Sequence, residues 1–204
     1  MYTVDNFILD LESVSPESLA LCENLYGGNN SNSLIRKHNL KLYLQKMKTL
    51  NPNILLLGEA PGYKGCRLTG VPFTSEKVLK NHPFFFNQDF QFINQQPESE
   101  KSATIVWDTL QNFKNIPLIW NIFPFHPFNG NNCNTNRTPN KKELEYGKQL
   151  VIKLLQLFNI ELIIAIGRKP ESQISDLGIE YKYVRHPANG GKSKFVQGIS
   201  EILQ

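Results

Sequence analysis

Three short, almost wholly apolar runs and a fourth, alternating one stand between longer stretches in which apolar residues recur every three or four positions. The apolar runs are ILLL at 54–57, LIWNIFPF through residue 125, which one asparagine interrupts, and LIIAI ahead of Gly167; the alternating run is YKYVR, leading into His186. Each is too short for a buried helix and reads as a strand, the first three as central strands covered on both faces. The stretches between them read as helices. Ser15-Pro16-Glu17 sets an N-cap, a proline at the first helical position and an early acid, which predicts a helix over 15–26 stopped by Gly27-Gly28. A second helix is predicted over 34–50, with Lys37, Lys41, Lys46 and Lys48 outward and Asn51-Pro52-Asn53 at its end. Residues 102–113 resume the helical period. Thr138-Pro139 opens another helix, with Leu144, Leu150, Leu154, Leu155 and Phe158 on or near one face. A short helix from about Pro170 and a terminal helix from Gly191 complete the set. Residues 81–100 and 126–138 lack a clear period and read as irregular, and no internal repeat is present.

Strands alternating with helices predict an α/β fold: a three-layer α/β/α sandwich around a central, mainly parallel four-stranded sheet, in one domain over 1–204. Such sheets bind ligands beyond the carboxyl ends of their strands. Three strand ends therefore carry the candidate chemistry: GEAPGYKG, WNIFPFHP and RHPANGGKSKF.

Composition changes this picture little. The 204 residues are 40% hydrophobic and 20% charged, which suits a globular domain large enough for a full core. A net charge of +4 suits an anionic partner without demanding one. No apolar run reaches the length of a membrane span, and MYTVDNFILDLES lacks a basic-then-apolar leader, so a soluble, cytoplasmic protein is expected. Cys22, Cys66 and Cys133 are odd in number and far apart, which argues against a disulfide framework and against a cysteine-only metal site.

Within the first strand end, Gly58, Gly62 and Gly65 allow backbone to approach a ligand, and exposed N–H groups there can form an anion nest. No Gly-Lys-Ser/Thr ends the loop and GxGxxG is absent, so neither nucleotide fingerprint applies. Asn121 places a primary amide in an otherwise apolar strand, where it needs partners. His186 follows the last strand and precedes Pro187 and a glycine pair; His126, just beyond the strand of Asn121, is the alternative histidine. Cys66 and Arg67 lie within the first loop, where they could touch substrate but read first as surface loop, and Lys141, Lys142, Lys192 and Lys194 read as a solvated face unless they cluster about a site.

Taken in order, these segments resemble the uracil-DNA glycosylase superfamily. GEAPG resembles the first motif of its thermostable bacterial and archaeal branch; TGVPF, Thr69 to Phe73, is also similar to the single-strand-selective monofunctional branch. Asn121 stands where the family has its uracil-reading asparagine, and His186-Pro187-Ala188-Asn189 resembles its second catalytic motif. The likeness spans 54–200. It implies a monofunctional DNA repair glycosylase that flips uracil out of the stack and hydrolyses its N-glycosidic bond. Phe73 would stack on the base, with Gly58 and Gly62 shaping its pocket, and Asn121 would read its edge. His186 and backbone N–H groups at Glu59 and Ala60 would stabilise charge on O2. Asn189, Gly190, Gly191 and Lys192 would bind the DNA, the last three by holding its backbone or by filling the hole left by the flipped base. Single- or double-stranded DNA is the expected partner, the protein is expected to be a monomer, and no metal or other cofactor is expected. Ala60 stands where the best-known branch has a water-orienting aspartate. Gly62 stands where it has a methyl-blocking tyrosine, so thymine exclusion must come from elsewhere, Tyr63 being one choice, or be incomplete. Three scattered cysteines cannot supply the four-cysteine iron–sulfur cluster of the thermostable branch. No lysine in the motifs is an obvious Schiff-base nucleophile, although Lys64 and Lys192 lie near them. Two alternatives remain: another deaminated base such as hypoxanthine or xanthine, or a catalytically silent member that only binds nucleic acid.

Overall fold

The computed structural model describes residues 1–14 and 21–204. Along the chain lie α1 (Val4–Glu12), β1 (Cys22–Glu23), α2 (Ser31–Leu50), β2 (Ile54–Gly58), α3 (Cys66–Thr69), α4 (Glu76–Asn81) and α5 (Lys101–Leu110). Then come β3 (Leu118–Asn121), β4 (His126–Pro127), α6 (Lys141–Leu155), β5 (Leu162–Ile166), α7 (Arg168–Ile174), β6 (Glu180–Val184) and α8 (Lys192–Leu203). Four strands form the central sheet in the order β3-β2-β5-β6, every neighbouring pair parallel. Helices flank it on both faces, α6 beside α7 and α5 beside α8, which is the expected three-layer α/β/α arrangement.

The apolar runs become strands because both of their faces are covered. Leu55, Leu56, Leu57, Leu118, Ile119, Trp120 and Ile163 through Ile166 are fully buried. Phe7 of α1 packs edge-on against Trp120, their ring centroids 5.3 Å apart. At the free edge of β3 the Tyr43 hydroxyl of α2 accepts from the Ile119 N–H at 2.8 Å, and so satisfies a ladder group that no strand pairs. β6 is the opposite edge and is exposed over most of its length, which is why its run alternates instead of being continuously apolar.

Three expectations change. The helix expected over 15–26 falls partly on 15–20, outside the described residues; beyond them Cys22–Glu23 is a strand, paired antiparallel with His126–Pro127. The second buried run stops pairing at Asn121 instead of continuing to residue 125, so the asparagine ends its strand rather than interrupting it. Residues 4–12, in which no element is expected, form α1, with a capping box between Thr3 and Asn6. Among the described residues, no helix is long and apolar enough to cross a membrane.

Candidate functional site

A cavity of about 600 Å³ opens at the carboxyl ends of the four central strands. Its lining includes Asn121 from the end of β3, Glu59 to Gly62 after β2, Gly167 to Lys169 after β5, and Tyr183, Arg185 and His186 at and beyond the end of β6. All three strand-end segments therefore meet in one place.

Gly58 is the hinge of the arrangement. A Cβ built on it would lie 2.1 Å from Phe73 Cε2 and 2.7 Å from Asn121 Oδ1, so only glycine lets the ring and the amide close over the strand end. Phe73 holds a left-handed backbone with φ of 49°, costly for a bulky residue unless its surroundings fix it. They do. The Trp107 indole N–H donates to the Phe73 carbonyl at 3.0 Å, and the Thr74 hydroxyl donates to the Val71 carbonyl at 2.8 Å. Tyr26 and Asn39 donate to the carbonyls of Gly70 and Thr69. The TGVPF turn is thus a buried polar clamp that delivers one aromatic ring.

Asn121 is 2% exposed, and among the described residues its side-chain amide has no hydrogen-bond partner. Its polar atoms are not sealed off but open onto the cavity, so a ligand that covers them without pairing them would incur a desolvation cost of roughly 1–3 kcal/mol. It lines the cavity beside Phe73, so a ligand can supply its partners.

His186 is half-buried, its ring tilted against Phe73 with centroids 6.1 Å apart. The Ala188 N–H donates to Nδ1 at 3.1 Å. In a neutral imidazole the remaining hydrogen then sits on Nε2, which becomes a donor. Burial, with Arg185 adding to it, holds the ring's pKa below its ordinary value and so keeps it neutral. His126 is not equivalent. It is fully buried, with Nδ1 2.8 Å from the Pro61 carbonyl and Nε2 2.9 Å from that of Cys133, and it braces the first loop from behind.

The first loop spends its carbonyls on structure. Gly58 and Glu59 accept from the Ile122 and Phe123 N–H groups, and Gly62 from those of Gly65 and Arg67. By contrast, the N–H groups of Ala60 and Gly62 donate to no acceptor among the described residues. Glu59 lines the cavity beside Thr138 and Lys169; burial raises its pKa, and these two neighbours oppose the rise. Asn189 lines the cavity, whereas Gly190 and Lys192 are exposed outside its lining. Gly191 is buried, and a Cβ there would lie 2.0 Å from the His186 carbonyl, so this glycine seats the histidine turn.

Cys66, expected on a surface loop, is buried on α3 and lines the cavity. Arg67 instead ion-pairs with Glu23 at 2.6 Å. Tyr63 faces another groove, beside Lys64 and Arg67, and does not line the cavity. The three thiols have separate surroundings: Cys22 against Glu143, Cys66 beside Tyr26, and Cys133 against Arg67. They do not converge and do not fit an iron–sulfur cluster. Sequence reading missed Glu100, Ser102, Asn136, Thr138, Arg168, Lys169 and Tyr183 in the lining, and it took in Arg185 at the third strand end without giving it a role. Only Arg168 and Lys169 had a usable signal, since they directly follow the third buried strand and its Gly167.

No curated protein matches the chain. Among solved structures, wild-type SMUG2 from Pedobacter heparinus matches with a TM-score of 0.69 at 17% sequence identity, over 98% of this chain and 95% of that one. At that identity the likeness concerns the fold. The family model described as the uracil DNA glycosylase superfamily matches residues 45–196, a span that takes in every strand-end segment meeting at the cavity, and the chain belongs to that superfamily.

Proposed function

We propose that the protein, within this superfamily of DNA repair glycosylases, hydrolyses the N-glycosidic bond of uracil in DNA after the nucleotide is flipped into the cavity. The observation that carries this reading is the unpartnered amide of Asn121, buried beside a fixed aromatic ring and facing the same cavity as a neutral histidine. Phe73 stacks on the face of the base. Asn121 accepts from N3–H and donates to O4; cytosine offers the opposite pair, which would leave both amide atoms unpaired.

As the bond to C1′ breaks, negative charge collects on O2 of the base and positive charge on the sugar. The Nε2–H of His186 donates to that oxygen, and the unpaired N–H group of Ala60 supplies a further dipole nearby. Glu59 is the acid of the first loop that reaches the cavity. It orients the water that adds to C1′, a role the Ala60 methyl cannot fill. The base leaves as an anion and is protonated by solvent. Outside the pocket, Arg168, Lys169 and Arg185 at the rim, with Asn189 to Lys192 beyond, lie where DNA phosphates approach. Nothing in this scheme needs a metal or cofactor, and the enzyme acts as a monomer in the cytoplasm.

The test is release of uracil from a single-stranded oligonucleotide and from duplexes by wild type, His186→Ala and Asn121→Ala. Wild-type release is expected to fall by roughly a hundredfold or more in His186→Ala. A loss of roughly tenfold or more is expected in Asn121→Ala. Borohydride should trap no covalent adduct, which separates water from Lys169 as the nucleophile. If excess wild-type enzyme releases no uracil in any context, the uracil reading fails; a panel of hypoxanthine and xanthine substrates and a DNA-binding assay then decide between another base and a silent binder.

A further inference from the structure

One wall of the cavity carries none of the roles assigned above to side chains. It is formed by Gly62 and Cys66 of the first loop and by Glu100, the N-cap of α5. Glu100 is partly buried, and its carboxyl is turned against the loop. A Cβ on Gly65 would lie 2.5 Å from Oε2, and one on Gly62 would lie 3.9 Å from Cδ. The carboxyl is thus seated in the notch that Gly65 leaves, and it stands within van der Waals reach of the space that a side chain on Gly62 would enter. Among the described residues no salt bridge joins it to a cation. Burial raises its pKa, and Ser102 with the Ala103 backbone, which hydrogen-bond to it, oppose the rise without cancelling it.

We propose that Glu100 closes the pocket on the C5 edge of the flipped pyrimidine and is the residue that bars a 5-methyl base. This rests on the uracil reading of the pocket. With O2 turned to His186 and N3 and O4 turned to Asn121, the next ring atom past O4 is C5. His186 packs against Gly167 and Ala188, on the far side of the sheet's order from β3. What remains for C5 is the wall of Gly62 and Glu100. Uracil presents a small, weakly polar C–H there. Thymine presents a methyl group, which needs space the carboxyl occupies and would strip a polar group of water without pairing it. The carboxyl cannot retreat toward the loop, because the backbone at Gly65 and the carbonyl of Thr74 already lie against that notch. Tyr63, facing another groove, cannot serve in its place.

The experiment measures uracil and thymine release in one sequence context, opposite guanine and in single strands. It compares wild type with Glu100→Ala, Glu100→Asp and Glu100→Gln. The readout is the thymine-to-uracil ratio within each variant, so a general loss of activity cancels. One methyl group in a shaped pocket discriminates by roughly 10- to 200-fold. The ratio should therefore rise by about tenfold or more in Glu100→Ala, rise less in Glu100→Asp, and stay near wild type in the similarly sized Glu100→Gln. Aspartate is a preferred N-cap, so Glu100→Asp carries the test if the alanine variant melts early. Refilling the space by Gly62→Tyr in the Glu100→Ala background should lower the ratio again. Uracil release with an unchanged ratio in both Glu100→Ala and Glu100→Asp overturns this proposal alone. So does a wild type that releases thymine as readily as uracil. No uracil release by wild type overturns the glycosylase reading and this proposal with it.

Discussion

The proton on His186 decides whether the site holds a donor or a cation. Because the Ala188 N–H occupies Nδ1, the neutral ring must carry its hydrogen on Nε2. Burial and Arg185 both disfavour the charged form, so the folded pKa lies below the ordinary 6.5. The sign follows: the folded chain binds this proton less readily than the unfolded one. The stability gained is complete above about pH 6.5 and is lost as pH falls through the depressed value. Nitrogen chemical shifts of the ring, measured across pH, should show the Nε2–H tautomer at neutrality and a midpoint below 6.5. A neutral ring protonated on Nδ1 would remove the donor from the mechanism, and one titrating above 6.5 would put a cation in place of the neutral donor. The sequence could not choose this histidine on dipeptide grounds, since His82 and His126 also precede proline. Position after the last strand separated them. The burial of His126 between two backbone carbonyls explains why it braces the loop instead.

Elements carry the site through one buried carboxylate. Glu143, the third residue of α6, closes the capping box with Asn140, accepts two hydrogen bonds from Arg137 at 2.8 Å each, and accepts from Cys22 Sγ at 3.0 Å. It thereby ties β1 and α6 to the asparagine-rich segment, whose Asn136, Arg137 and Thr138 line the cavity. Burial alone would raise its pKa, but the hydrogen bonds from Arg137, Cys22 and the Asn140 backbone outweigh burial and hold it low. Its contribution to stability is therefore present above the unfolded value of about 4.3 and fades as pH falls below it. Glu143→Ala should cost on the order of 3 kcal/mol in urea unfolding, since it strips a buried pair of one member. A loss below about 1 kcal/mol would mean that the segment is held by other contacts. None of this was legible beforehand. Apolar rhythm places strands and helices well, as β2, β3, β5 and α6 show, but it says nothing of polar ties across more than a hundred residues such as Cys22 to Glu143. For the same reason Glu100, on a segment without period, went unnoticed, while Gly58, Phe73, Asn121 and His186 stood out at strand ends.

Across the whole molecule the modest charge of +4 matters less than where it sits. Arg168, Lys169 and Arg185 come from two different strand ends and share the rim of one cavity. Arg168 is already engaged, stacked 4.0 Å from the Tyr183 ring centre and ion-paired with Glu171. That leaves Lys169 and Arg185 as the cations at the mouth most readily turned toward a phosphate backbone. Each phosphate neutralised releases condensed counterions, so binding should weaken with salt along a slope of roughly 0.7 per contact on single strands. Removing Lys169 or Arg185 by substitution with alanine should lower that slope by about that amount and weaken binding alike for every sequence. Lys141→Ala, on the solvated face of α6 and 88% exposed in its side chain, should leave the slope unchanged. The measurement is fluorescence anisotropy of a labelled oligonucleotide, titrated at several salt concentrations. Equal slopes in all three variants would mean that DNA enters by another face, and that the convergence of strand ends positions a base without positioning its backbone.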